Sequence, residues 1–257
     1  MHKRTFHSIA LITSKVLVAA FLLTGCTSNG NANNSASNNS TENKTTTENK
    51  ATTAQMYTRS ETVSIDQAKQ LLMEGNKRYV DNKILGHDIS NTRRKDLSTK
   101  GQKPFAVVLS CSDSRVPPEL VFDQGLGDLF IIRNAGNVID PIALGSIEYG
   151  SEHLGAPLII VLGHEKCGAV KAAIEGGHFS ENITAIINQI KPSYDKVKGK
   201  SQNSDEVNNL TIDENVRNSI SLINKSSVIQ KLTTEKKVNI VGAKYHMDTG
   251  EVTFDIQ

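Results

Sequence analysis

From residue 64 onward, short apolar runs alternate with stretches of helical periodicity. Four runs stand out: Phe105–Leu109 (FAVVL), Leu129–Ile132 (LFII), Leu158–Leu162 (LIIVL) and Val238–Val241 (VNIV). Each is short and rich in branched apolar residues, which suits a strand buried on both faces of a sheet. A shorter run, Val252–Ile256, follows the turn Asp248-Thr249-Gly250. Helical stretches are expected at Pro118–Asp123, Pro141–His153, Cys167–Glu175, Ile183–Val197 and Glu206–Thr233, with Pro192 breaking or kinking the fourth. Ser64-Ile65-Asp66-Gln67 reads as a capping box. Behind it Ile65, Ala68, Leu71, Leu72 and Tyr79 recur at helical spacing as far as Asp81. Gly86–Lys103 is polar and reads as a loop with at most a short helical turn. Strands alternating with helices imply an α/β fold, a mainly parallel sheet flanked by helices. The last strand follows only a tight turn and is free to run antiparallel.

The first 55 residues have a different pattern. Lys3, Arg4 and Lys15 precede an eight-residue apolar run, Val16–Leu23. A bilayer-spanning helix needs about 20 apolar residues, so this run suits the core of an export signal over residues 1–25. Leu23-Thr24-Gly25-Cys26 resembles the bacterial lipobox, in which the cysteine is acylated and becomes the first residue after cleavage. The rival reading is an ordinary secretory signal with an incidental cysteine. Residues 26–55 are almost wholly Asn, Ser, Thr, Glu, Lys and Ala. They cannot offset their ordering entropy by burial, and read as a disordered tether. Residues 56–257 remain for one domain.

Lys3, Arg4 and Lys15 fall within the export signal, so the mature chain carries 26 basic and 27 acidic side chains. That balance, with no Trp at all, gives no reason to expect nucleic acid as a partner. There are three cysteines, Cys26, Cys111 and Cys167. They cannot all pair with one another, so at least one needs another explanation.

Two motifs lie just past the ends of apolar runs, where α/β proteins place their sites. Cys111-Ser112-Asp113-Ser114-Arg115 follows the first run, and His164-Glu165-Lys166-Cys167 follows the third. If the two strands are parallel neighbours, Cys111, His164 and Cys167 converge. Two thiolates and an imidazole form a zinc set, and three protein ligands leave the fourth tetrahedral position for water or substrate. His153 lies in a helical pattern and His178 in a Gly-rich loop, so neither is favoured as a fourth ligand. His87 and His246 read as surface or core residues. Asp113 and Arg115 are spaced for a bidentate pair. On the motif alone this is equally an acceptor held beside a metal or a structural salt bridge at a strand end.

With these residues in place, the sequence resembles the β-class carbonic anhydrases, whose signature is C-S-D-S-R followed about fifty residues later by H-x-x-C. The likeness extends over Leu120–Pro141, Gly145–Gly155 and the C-terminal strand pair. The resemblance implies a four-stranded parallel sheet plus an added C-terminal strand, in a homodimer or higher homo-oligomer. It implies one Zn2+ per subunit on Cys111, His164 and Cys167. The implied reaction is reversible hydration of CO2 to bicarbonate and a proton. In it zinc-bound hydroxide attacks CO2, oriented by the Asp113–Arg115 dyad. Gln102 falls where many members place a glutamine that bonds substrate. Phe130 and Tyr149 match positions lining the apolar pocket, often across the dimer interface, with Ala135 beside them and Gly168 after the last ligand.

The front of the chain departs from the many cytoplasmic members. A lipid on Cys26 would anchor the enzyme to a bacterial membrane on its extracytoplasmic side. The rivals are a non-catalytic bicarbonate or zinc sensor, a zinc-scavenging surface lipoprotein, and a redox protein. No ligand or acid is missing, as a sensor would suggest, and the tether has no His. Cys111 and Cys167 lie 56 positions apart rather than in C-x-x-C.

Overall fold

The computed structural model describes residues 62–256. The segments read as export signal and tether, and Cys26 between them, therefore lie outside the described residues. The elements begin with α1 (Ile65–Val80), α2 (Asn91–Lys100), β1 (Ala106–Cys111), α3 (Pro118–Val121) and β2 (Leu129–Asn134). A 3-10 turn, Ala135–Asn137, leads into α4 (Pro141–Glu148), a π-helical turn (Tyr149–His153) and β3 (Leu158–His164). There follow α5 (Gly168–Glu175), α6 (Glu181–Val197), α7 (Ser204–Ile223), α8 (Ser227–Thr234), β4 (Asn239–Tyr245) and β5 (Val252–Phe254).

The sheet order is β2-β1-β3-β4-β5. The first four strands are parallel and β5 runs antiparallel to β4. Every residue of β1 and β3 is buried, as their unbroken apolar runs require. Alternate residues face opposite layers. Val108, Ile160 and Leu162 join Leu72 of α1 and Phe122 after α3 on one side. Val107, Leu109, Ile159 and Val161 join Ile147 of α4, Val216 of α7 and Ile229 of α8 on the other. A third cluster sits at the carboxyl ends of the strands: Cys111 and Cys167 pack with Val170 of α5, Ile190 of α6 and Ile212 of α7.

Ser64 accepts from the backbone N–H of Gln67, whose side chain accepts in return from Ser64 N–H, so the capping box forms as its spacing predicts. Other expectations need correction. The polar segment before β1 contains a ten-residue helix, α2, capped by Ser90. It buries no residue, so no apolar period announces it. Pro192 does not end α6, which runs on to Val197. Asn188, whose carbonyl the proline deprives of a donor, is exposed and open to water. The long helix expected over Glu206–Thr233 is two helices, because Ser226 caps a fresh start by accepting from Ile229 N–H at 3.2 Å. The α-helix at Pro141 ends at Glu148 and gives way to the π turn.

Candidate metal centre

The parallel register sets Ser110 opposite Leu162, so the ends of β1 and β3 lie side by side. Cys111 is the last residue of β1, His164 the last of β3, and Cys167 stands immediately before α5. One donor atom from each lies within 4.8 Å of the others. All three are buried, at 5 %, 1 % and 2 % exposure for Cys111, His164 and Cys167. Both cysteines are free thiols.

The imidazole of His164 has a defined orientation. Its Nδ1 lies 2.8 Å from the carbonyl oxygen of Glu165, which can only accept, so Nδ1 carries the proton. Nε2 is thereby the acceptor nitrogen, and it is buried without a hydrogen-bond partner. Glu165 is itself fixed: its carboxylate takes the backbone N–H of Met247 at 3.1 Å and contacts His246 Nδ1 at 3.0 Å.

In the metal-free arrangement the contact between the two sulfurs moves their titration in opposite directions. Hydrogen bonding from Cys167 lowers the Cys111 pKa to about 4 against the opposing effect of burial, with further help from the Gly136 N–H. The same contact with Cys111, then burial, pushes Cys167 far above the usual thiol range. The Gly136 N–H donates to Cys111 Sγ at 3.3 Å.

Asp113 and Arg115 form the bidentate pair that their spacing suggests, at 2.9 and 2.7 Å. The guanidinium, with the Arg115 backbone N–H behind it, holds the Asp113 carboxyl well below the usual carboxylate range against the opposing effect of burial. Arg133, which the sequence reading did not single out, donates to the carbonyls of Cys111 at 3.0 Å and Asp113 at 2.7 Å. Its only sequence signal is its place at the end of the LFII run.

Ala135 directly follows Asn134, the residue opposite Cys111, so it belongs to this neighbourhood. Gly168 opens α5, exposed, with nothing within 4 Å of where a Cβ would stand. The remaining expected substrate residues are elsewhere. Phe130 pairs with Val107, near the start of β1, and its ring lies 6.0 Å from that of Tyr149. Gln102 precedes β1 and is exposed. Strand rise is about 3.3 Å per residue, and Val107, opposite Phe130, stands four residues before Cys111, with Gln102 farther back still in the same chain. A cleft of about 580 Å³ between the end of α1, α3 and the β4–β5 turn contains none of them.

Comparison with known proteins decides the family. The carbonic anhydrase family profile matches residues 106–252. A solved β-carbonic anhydrase from Coccomyxa, in complex with acetazolamide, superposes with a TM-score of 0.57 at 26 % identity, covering 71 % of this chain and 83 % of that one. The chain belongs to the β-class carbonic anhydrases. It is 39 % identical to the carbonic anhydrase of Mycolicibacterium smegmatis over 72 % of its own length and 90 % of the relative's. It is 38 % identical to carbonic anhydrase 2 of Mycobacterium tuberculosis, over 71 % and 89 %. The cofactor of this class is zinc, and the donor set fits it: two free thiols and an imidazole acceptor nitrogen without a partner, all buried and within 4.8 Å.

Proposed function

We propose that this protein is a zinc carbonic anhydrase that hydrates CO2 reversibly to bicarbonate and a proton, with Cys111, His164 and Cys167 as the metal ligands. The observation that carries the reading is the buried, unpartnered Nε2 of His164 beside two free buried thiols. Leaving such a nitrogen unpaired costs about 1–3 kcal/mol, which a metal bond removes. Bound there, zinc supplies the Lewis acidity that makes water a nucleophile near neutral pH.

The chain's own groups do the remaining work. Three donors leave one tetrahedral position for water or substrate. Asp113 stays ionised because Arg115 grips it, so it can accept a hydrogen bond from the nucleophile's O–H and orient the lone pair that attacks carbon. Arg133 ties the carbonyls of Cys111 and Asp113 together and keeps ligand and acceptor in fixed relation.

CO2 is apolar and needs an apolar approach. Ala135 offers part of one, but Phe130, Tyr149 and Gln102 lie at the far end of β1 in the same chain. A second copy supplies them in this reading. The outer edge of β2, with half-buried Leu129, Phe130, Ile131 and Ile132, has no strand partner among the described residues and is suited to such pairing. Gln102 of one chain would then donate to a substrate oxygen at the other's metal.

Export and a lipid on Cys26, with residues 26–55 as tether, complete the proposal and rest on the sequence pattern. The test is stopped-flow CO2 hydration by the purified protein with zinc quantified, beside Cys167→Ser. Zinc near one per chain, fast hydration in the parent and none in the variant support the reading. Bound zinc with no hydration between about pH 7 and 9, where the nucleophile forms, would sink it.

A further inference from the structure

Helix α7 packs unusually close to the sheet just behind His164. A Cβ at Gly163 would stand 2.7 Å from Val216 Cγ2, and one at Gly242 would stand 2.9 Å from Val216 Cγ1. Two glycines on adjacent strands therefore admit α7 to this position. The approach brings Asn215 and Ser219, one helical turn apart, against the turn Ala135–Asn137. Asn215 Nδ2 donates to the Gly136 carbonyl at 2.8 Å, and Ser219 Oγ donates to the Asn137 carbonyl at 3.0 Å. Both side chains are almost fully buried, at 2 % and 1 % exposure.

The turn they hold is demanding. Gly136 has φ 75° and Asn137 φ 45°, so two successive residues are left-handed. Asn134 braces the turn from its other end, accepting from Val138 N–H at 2.8 Å and donating to Val138 O at 2.9 Å. The product of this bracing is one aimed donor: Gly136 N–H toward Cys111 Sγ at 3.3 Å. The Gly136 residue is thus held by its carbonyl to α7 while its amide faces the sulfur.

We infer that Asn215 and Ser219 are positioning residues for the metal site, acting through the Ala135–Asn137 turn to hold the Gly136 N–H on Cys111 Sγ. A hydrogen bond to a ligating thiolate draws charge from the sulfur and fixes its direction, and groups that orient ligands this way change metal affinity by about 10–100-fold when lost. The inference rests on Cys111 being a ligand. Asn215→Leu removes the donor and leaves the Gly136 carbonyl buried without its partner. Ser219→Ala does the same, more gently, to Asn137.

The experiment uses the full chain in parent, Asn215→Leu, Ser219→Ala and Ile223→Ala forms. Ile223 is a fully buried apolar residue at the C-terminal end of α7, with no side-chain donor to offer the turn carbonyls, so it reports loss of helix packing without loss of a hydrogen bond. Two quantities are read: zinc affinity by competition with a chromophoric chelator, and the thiolate-to-metal charge-transfer band after cobalt substitution. The expected result is about a tenfold weaker zinc affinity and a shifted cobalt band in Asn215→Leu. Ser219→Ala should change both in the same direction by less, and Ile223→Ala should lose stability with affinity and band unchanged. Parental affinity and band in both Asn215→Leu and Ser219→Ala would overturn the inference. If Asn215→Leu does not fold, Ser219→Ala decides alone. A parent without any thiolate band would fail the ligand assignment instead, which separates the two failures.

Discussion

Arg115 grips Asp113 through two parallel side-chain hydrogen bonds, Nε to Oδ1 at 2.9 Å and Nη2 to Oδ2 at 2.7 Å. The same Nη2 reaches the Lys166 carbonyl at 3.3 Å. One guanidinium therefore links the turn after Cys111 to the turn between His164 and Cys167. Lys166 sits there at φ 55°, a left-handed kink that returns the chain from His164 to Cys167. The fork geometry of arginine serves this link, because a lysine ammonium could not meet both carboxylate oxygens and a carbonyl in one plane.

Asp113→Asn is expected to lower CO2 hydration by about 100-fold or more, with zinc content unchanged. Zinc analysis and stopped-flow rates on one preparation check this. The pair's sign with pH is fixed. Arg115 holds the Asp113 carboxyl below its unfolded value, so its contribution to stability is present above the usual carboxylate range and is lost only as pH falls through the lowered value. Asp113 should therefore set no limb of the pH–rate profile near neutrality. A limb there that disappears in Asp113→Asn would contradict this.

Removing zinc should leave the two sulfurs titrating apart. With Cys111 lowered to about 4 and Cys167 raised, the metal-free protein should carry one buried thiolate at neutral pH. The folded state then holds fewer protons than the unfolded chain between about pH 4 and the ordinary thiol range, so stability from this pair rises with pH there. Above that range the raised Cys167 keeps a proton that the unfolded chain loses, and stability falls. Ultraviolet thiolate absorbance and urea unfolding of chelator-treated protein at several pH values test both directions. A metal-free protein whose thiolate signal first appears near the ordinary thiol pKa would refute the arrangement.

Gly136→Ala should be costly. The residue has φ 75°, and an added Cβ would stand 2.6 Å from Ile190 Cδ1 and 3.2 Å from Ala169 Cβ. A left-handed non-glycine residue costs about 1–2 kcal/mol, and overpacking adds about 1–3 kcal/mol. Gly145→Ala, on α4 with nothing within 4 Å, is the contrasting change and should be neutral or stabilising. Denaturant midpoints for the two variants give the comparison, and equal midpoints would refute the packing argument.

Cys26→Ser is expected to move the protein from the membrane fraction to the aqueous phase, since residues 23–26 carry the lipobox likeness. Detergent phase partition of cell extracts, with metabolic labelling by a fatty acid, measures it. A parent chain that is unlabelled and aqueous would leave Cys26 an incidental residue.

The strands and the cysteine–histidine set were legible because their signals are local. Short unbroken apolar runs rich in branched residues, such as LIIVL, suit doubly buried strands, and His164 and Cys167 follow one of them closely. Parallel adjacency of β1 and β3 then brings Cys111 to them without further information. Arg133, Gly136 and Asn215 were not legible. Each acts through a backbone group, a carbonyl or an amide, and such contacts leave no pattern in side-chain type. The α2 helix was missed for a related reason, since it buries nothing and so has no apolar period. Pro192 misled because the helix interior normally penalises proline, while an exposed face spares the freed carbonyl.

The separation of Gln102, Phe130 and Tyr149 from Cys111 leads to a test by complementation. If the substrate residues come from a second copy, a chain lacking Gln102 still owns a sound metal set, and a chain lacking Cys167 still owns a sound Gln102. Gln102→Ala and Cys167→Ser are each expected to be weak or inactive alone. Mixed after dissociation and reassociation, hetero-oligomers would contain one site with the metal set of the first chain and the glutamine of the second. Hydration activity should return on mixing and should rise with the proportion of mixed assemblies seen by native mass spectrometry. The single chain offers no route to that recovery, since Gln102 precedes β1 and Cys111 ends it. Mixed assemblies that form but regain no activity would show that Gln102 does not act across the chains, and would leave the apolar approach at Ala135 to be completed from within one chain.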